Sequence, residues 1–95
     1  MSNYENELEV ILGRLMYLKV IKELAISDEP LTKYSIRVRT GLKYTDIKKV
    51  IDRLIELGWL VKHDTKPEKY SLNYSKDIVK KFIKCMKELG YIPSK

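Results

Sequence analysis

The sequence predicts one domain that is mostly α-helical and carries a small β-hairpin. Three observations lead there. Apolar residues recur at helical spacing over 4–26, 33–40, 44–57 and 76–89. Gly41 and Gly58 stand where two of those helices would stop. Two alternating runs, 59–63 and 69–73, flank a charged stretch at 64–68, which is the pattern of a hairpin. Ninety-five residues suit a single core spanning 1–95 and leave no room for a deep enzyme cleft beside it.

The first predicted helix, 4–26, has Leu8, Ile11, Leu12, Leu15 and Leu18 on one stripe. Val10, Met16, Tyr17, Val20, Ile21 and Leu24 widen that stripe around the cylinder, so this helix needs more than one neighbour: its own core, or its core and a second chain. Gly13 interrupts it at a cost of about 1 kcal/mol relative to alanine. Pro30 disfavours helical geometry at Glu29 and ends the segment. Leu31 and Thr32 form a very short extended piece, from which Thr32 caps a helix over 33–40. Gly41 takes the left-handed position that closes that helix, and Leu42 anchors the turn.

The next helix, 44–57, buries Ile47, Val50, Ile51, Leu54, Ile55 and Leu57. Tyr44, Thr45, Lys48 and Lys49 point away from that side together. The hairpin over 59–73 follows, with a short charged tip. A last helix, 76–89, is predicted with Ser75 as its cap and Asp77 in its first turn, where a carboxylate favours the helix dipole. Ile78, Val79, Phe82, Ile83, Cys85, Met86 and Leu89 form its apolar stripe, and five lysines cover the other side.

Charge is uneven along the chain. The net charge is +6. Residues 1–29 hold three cations and six anions; residues 30–73 hold ten and five; residues 74–95 hold six and two. From Lys33 to Lys49 there are six cations, Lys33, Arg37, Arg39, Lys43, Lys48 and Lys49, against one anion, Asp46. An acidic beginning and a basic remainder suit one face for a polyanion and another for a different partner. Glutamine is absent and there are three asparagines. That bias matches thermophile-like chains, in which charged networks persist and amides are labile, and equally an AT-rich coding sequence.

Several classes are excluded by inventory. One cysteine, Cys85, rules out an internal disulfide and fits a reducing compartment. One histidine and one cysteine do not build a zinc site, so no metal or other cofactor is expected. The four glycines are isolated, so there is no phosphate-cradling loop, and no nucleophile has an evident base; an enzyme is not expected. No apolar run approaches the ~18 residues of a membrane span, and the acidic start is wrong for a secretory signal. A cytoplasmic, nucleoid-associated protein is the expectation.

The order helix, helix, turn, helix, hairpin, helix resembles the winged helix-turn-helix family, especially small MarR- and PadR-like regulators and their archaeal relatives. The resemblance is carried by Leu31-Thr32, Ile36, Thr40-Gly41-Leu42, Ile47, Val50-Ile51, Arg53-Leu54, Leu57-Gly58-Trp59-Leu60 and Tyr70-Ser71-Leu72. Its most specific part is the exit Arg-Leu-x-x-x-Gly-aromatic-Leu, residues 53–60. One departure is Arg37, where the family usually has a small residue because two helices approach closely; Arg37 must splay outward or the helices must tilt.

The resemblance implies that the helix 44–57 enters the major groove of double-stranded DNA, with Lys43, Tyr44, Thr45, Lys48 and Lys49 at its reading edge. It implies that the wing meets the minor groove or flanking phosphates through Lys62, His63, Thr65, Lys66 and Lys69, with Lys66 foremost, and Arg37 and Arg39 are placed to clamp backbone. It further implies a homodimer through the flanking helices. Leu8, Leu12 and Leu15 of the first helix would face Phe82, Ile83, Met86 and Leu89 of the last. A twofold pair would set two reading helices about 34 Å apart, one turn of DNA, on an inverted repeat.

Three functions compete. The first is a sequence-specific transcriptional regulator. The second is a DNA-organising or plasmid/chromosome partition protein that binds a centromere site and spreads. The third is a winged-helix module for protein–protein contact. The basic stretch favours the first two, and the acidic first helix offers a surface to a protein partner or a neighbouring dimer.

Overall fold

The structure, a computed structural model, describes residues 5–94. Its elements run α1 (Glu5–Leu12), α2 (Leu15–Ile26), β1 (Leu31–Thr32), α3 (Lys33–Thr40), α4 (Tyr44–Glu56), β2 (Leu60–His63), β3 (Lys69–Leu72) and α5 (Asp77–Glu88).

The single helix expected over 4–26 is two helices; Tyr4, its expected start, lies outside the described residues. Gly13 N–H closes α1 by donating to Glu9 O at 3.0 Å, and Arg14 then turns extended, with φ −141° and ψ 130°. The Glu9 carbonyl lies so close that a Cβ at position 13 would come within 2.7 Å of it. The break resolves the over-wide apolar stripe read from the sequence. By changing direction, α1 buries Ile11 completely while α2 buries Val20, Ile21 and Leu24 against α3 and α4.

The α3–α4 unit is set by short-range chemistry. Thr32 Oγ1 accepts from Ser35 N–H at 3.1 Å, satisfying one donor that a helix start leaves open. Gly41 closes α3 at φ 74°, where a side chain would clash with backbone. Thr40 Oγ1 donates to Ile36 O at 2.7 Å and accepts from Leu42 N–H, tying the turn together. Ile47, Val50, Ile51 and Leu54 on α4 are fully buried. Arg37 is exposed and its guanidinium lies 5.6 Å from the Tyr34 ring, so it splays outward.

The hairpin is part of a larger sheet. The strands form an antiparallel sheet in the order β1-β3-β2, with Leu31 opposite Tyr70 and Leu60 opposite Leu72. The third strand, read from the sequence only as an extended piece, adds a buried leucine to the apolar side that a two-stranded hairpin alone would leave thin. Trp59, expected to open the first hairpin strand, precedes β2 and is fully buried.

At α5 three expectations change. Ser75 does not cap the helix: Lys76 holds the N-cap position without a side-chain cap bond, and Ser75 N–H donates to Asn73 Oδ1. Asn73 is the organiser, because its Nδ2 also donates to Gly58 O at 2.9 Å. Cys85 and Leu89, placed in the apolar stripe, are exposed. Third, Phe82 and Ile83, expected at a dimer interface, are core residues of this chain at 6% and 3% exposure. The Phe82 ring meets Trp59 edge to face at 5.4 Å. The tail folds back to bury Ile92.

Candidate nucleic-acid interface

The first turn of α4 begins the site. Lys43 occupies its N-cap position and makes no side-chain cap bond, so the opening N–H groups of α4 remain available to an anion. Lys43, Tyr44, Thr45, Lys48 and Lys49 are all exposed. Among the described residues none of these three lysines is ion-paired. Ile47, Val50 and Ile51 lie between them in sequence and are fully buried, which turns the polar residues outward as one edge.

A cleft of about 280 Å³ runs beside that edge, lined by Thr32, Lys33, Tyr34, Tyr44, Pro67, Glu68 and Tyr70. It joins the starts of α3 and α4 to the tip of the β2–β3 hairpin. Tyr34, 66% exposed, was not among the residues read from the sequence, although an exposed aromatic two positions after a capping threonine in a basic stretch is a usable signal.

The wing is less freely cationic than its composition suggests. Lys62 Nζ sits 3.1 Å from Glu68 Oε2, and Tyr70 donates its hydroxyl to Glu68 Oε1 at 3.1 Å. The bond to Glu68 raises the Lys62 ammonium above its ordinary value, and the same bond, with that from Tyr70, holds the Glu68 carboxyl low. Burial, then the bond to Glu68, pushes the Tyr70 phenol up to about 12. Lys62 therefore has a resident carboxylate, whereas Lys66 and Lys69 are exposed and unpaired among the described residues. Thr65 is exposed, its hydroxyl donating to Pro67 O at 2.7 Å, which shapes the tip. His63 shares a 2.8 Å hydrogen bond with Ser71 across the strands.

The two arginines part company. Arg37 stays with Tyr34 and hence with the cleft. Arg39 lines a different groove, with Leu15, Lys19, Glu23 and Tyr91 on the side of α2. Of the residues expected to pair two chains, Leu12, Leu15 and Leu89 are exposed at 55%, 61% and 71%, while Leu8 and Met86 pack partly on the core.

Among the described residues no three His, Cys, Asp or Glu side chains gather as metal ligands, and no helix is long and apolar enough to cross a membrane.

Two helices at a tight glycine turn, with the second helix outward and a three-stranded wing beside it, make this a winged helix-turn-helix fold. It is similar to the crystal structure of a possible HxlR family transcriptional factor from Thermoplasma volcanium GSS1, with a TM-score of 0.71 and 16% sequence identity, over 96% of this chain and 84% of that one. HxlR-type winged helices are related to the MarR- and PadR-like proteins but are not the same family. No family model matches the sequence, and no curated protein matches it.

Proposed function

We propose that this chain binds double-stranded DNA as a sequence-specific transcriptional regulator, with α4 in the major groove and the wing on flanking phosphates. The observation that supports it most is the outward edge of α4. Three unpaired lysines, a tyrosine and a threonine flank an open helix N-terminus beside the wing cleft. Lysines and backbone N–H groups of this kind position a duplex through its phosphates, and Thr45 and Tyr44 are within reach of base edges and sugars. The solved neighbour, itself a possible transcriptional factor, points the same way. We place the protein with the nucleoid, and read it as a non-enzymatic binder without cofactor.

The pairing of two copies is part of this proposal, narrowed to Leu12, Leu15 and Leu89 with the exposed parts of Leu8 and Met86. A twofold pair would read an inverted repeat. Glu5 and Glu9 border Leu8 and Leu12 on the exposed face of α1, so a protein partner or a neighbouring dimer would meet that same face.

The test is duplex binding by the Lys48→Ala, Lys49→Ala double variant. Affinity should fall on the order of tenfold and the salt slope by about 2, one unit for each phosphate left unneutralised. Unchanged affinity rejects the groove assignment. Footprints at rising protein concentration separate regulator from organiser: a fixed short footprint supports the regulator, and a lengthening one supports the protein that spreads.

A further inference from the structure

The reading face leaves much of the positive charge unused. Residues 74–95 carry six cations and two anions, and among the described residues none of them lines the α4–wing cleft. Lys80, Lys84 and Lys87 fall on one side of α5 at steps of four and three residues. All three are exposed, and among the described residues none has a carboxylate partner, whereas Lys81 on a neighbouring side pairs with Asp77 at 3.0 Å. Like charges at such spacing repel by a few tenths of a kcal/mol per pair, so the stripe opposes the helix that carries it.

The stripe borders a groove of about 420 Å³ floored by Ile83 and edged by Tyr74, Glu88 and Ser94. Tyr74 is 45% exposed, and partial burial raises its phenol above the ordinary value. The groove shares no residue with the cleft beside α4. It is also distinct from the proposed pairing surface: Leu89, two residues beyond Lys87, turns about 200° away around the helix.

We propose that the lysine side of α5 is a second nucleic-acid site, which holds the phosphate backbone of a DNA segment other than the one under α4. Charge complementarity selects the occupant. Three unneutralised ammonium groups, about 10 Å from first to last along the helix, follow a line of negative charge, as a duplex backbone presents. The contact reads no sequence, because lysine on phosphate positions without specifying. This site rests on the proposal that α4 holds DNA, and it makes the protein a bridge between two segments.

The experiment loads the full chain onto a bead-bound duplex and measures retention of a second, fluorescent duplex of unrelated sequence. The wild type should retain it. The triple variant Lys80→Ala, Lys84→Ala, Lys87→Ala should lose that retention by on the order of tenfold, with affinity for a single duplex kept within about twofold. Lys80→Arg, Lys84→Arg, Lys87→Arg should restore it. Circular dichroism melts of each variant guard against misfolding. Equal retention by the alanine variant overturns the proposal, since two reading faces of a dimer would then do the bridging. A wild type that binds one duplex and retains no second also overturns it. Altered sedimentation of the alanine variant with unaltered retention overturns it too, and assigns the stripe to the acidic α1 of another copy. Binding of no duplex at all defeats the α4 assignment first, and is thereby distinguished.

Discussion

The indole Nε1 of Trp59 donates to Glu7 Oε1 at 2.7 Å, across 52 residues of sequence. The same carboxylate oxygen lies 3.2 Å from Lys76 Nζ. One side chain of α1 thus satisfies the donor of a fully buried tryptophan at the root of the wing and meets the residue at the N-cap of α5.

Glu7→Ala should destabilise the fold by about 1–3 kcal/mol, because it strands the Trp59 N–H in the core. Glu7→Gln keeps an acceptor and should cost less. Urea denaturation followed by the fluorescence of the one tryptophan measures both, and equal losses would mean that the hydrogen bond is not what Glu7 contributes.

Glu68→Gln should strengthen duplex binding. The carboxylate now neutralises Lys62 at 3.1 Å, occupying the ammonium that a phosphate would otherwise take. Its removal should steepen the salt slope by about 1, the signature of one further phosphate neutralised. An unchanged slope would show that Lys62 does not reach DNA.

Alkaline pH should loosen the wing. The Tyr70 phenol is raised from 10.0 to about 12 in the folded chain. Folding therefore holds its proton more tightly, and the stabilisation is present below pH 10 and lost as pH rises through about 12. Lys62, raised above 10.5, acts in the same direction. Glu68, held below 4.5, contributes above that value and loses its contribution as pH falls through its lowered one. An absorbance titration of the phenolates should show a component near pH 12 that Tyr70→Phe removes.

Leu12→Gln together with Leu15→Gln should yield a monomer by sedimentation where the wild type pairs. Both side chains are more than half exposed, so thermal stability should move by less than about 0.5 kcal/mol per site in the monomer. Wild-type sedimentation as a monomer at micromolar concentration would sink the pairing surface.

What the sequence disclosed was what short-range chemistry decides. The Thr32 cap, the left-handed turn at Gly41 and the buried side of α4 each depend on residues within a few positions of one another, and each can be read from spacing. The break at Gly13 could not, because the helical pattern continues through it; what decides is the complete burial of Ile11 in a core gathered from the whole chain. Phe82 and Ile83 look like any apolar stripe until Trp59 is seen to take one of them. The same holds for the basic site. Lys48 and Lys49 follow from helical facing, but the pairing of Lys62 with Glu68 needs the strand register, and the removal of Arg39 to the side of α2 needs the packing of α2 on α3.

The distance in sequence between Glu7 and Trp59 bears on the order in which the chain assembles. Closing a loop of that length costs more chain entropy than joining the near neighbours α3, the turn and α4. The helix-turn-helix unit should therefore form early and the seating of α1 late. Because the Trp59 indole N–H meets Glu7 only when α1 is seated, the last step of folding carries its own fluorescent reporter, and stopped-flow emission should lag the helical signal in circular dichroism.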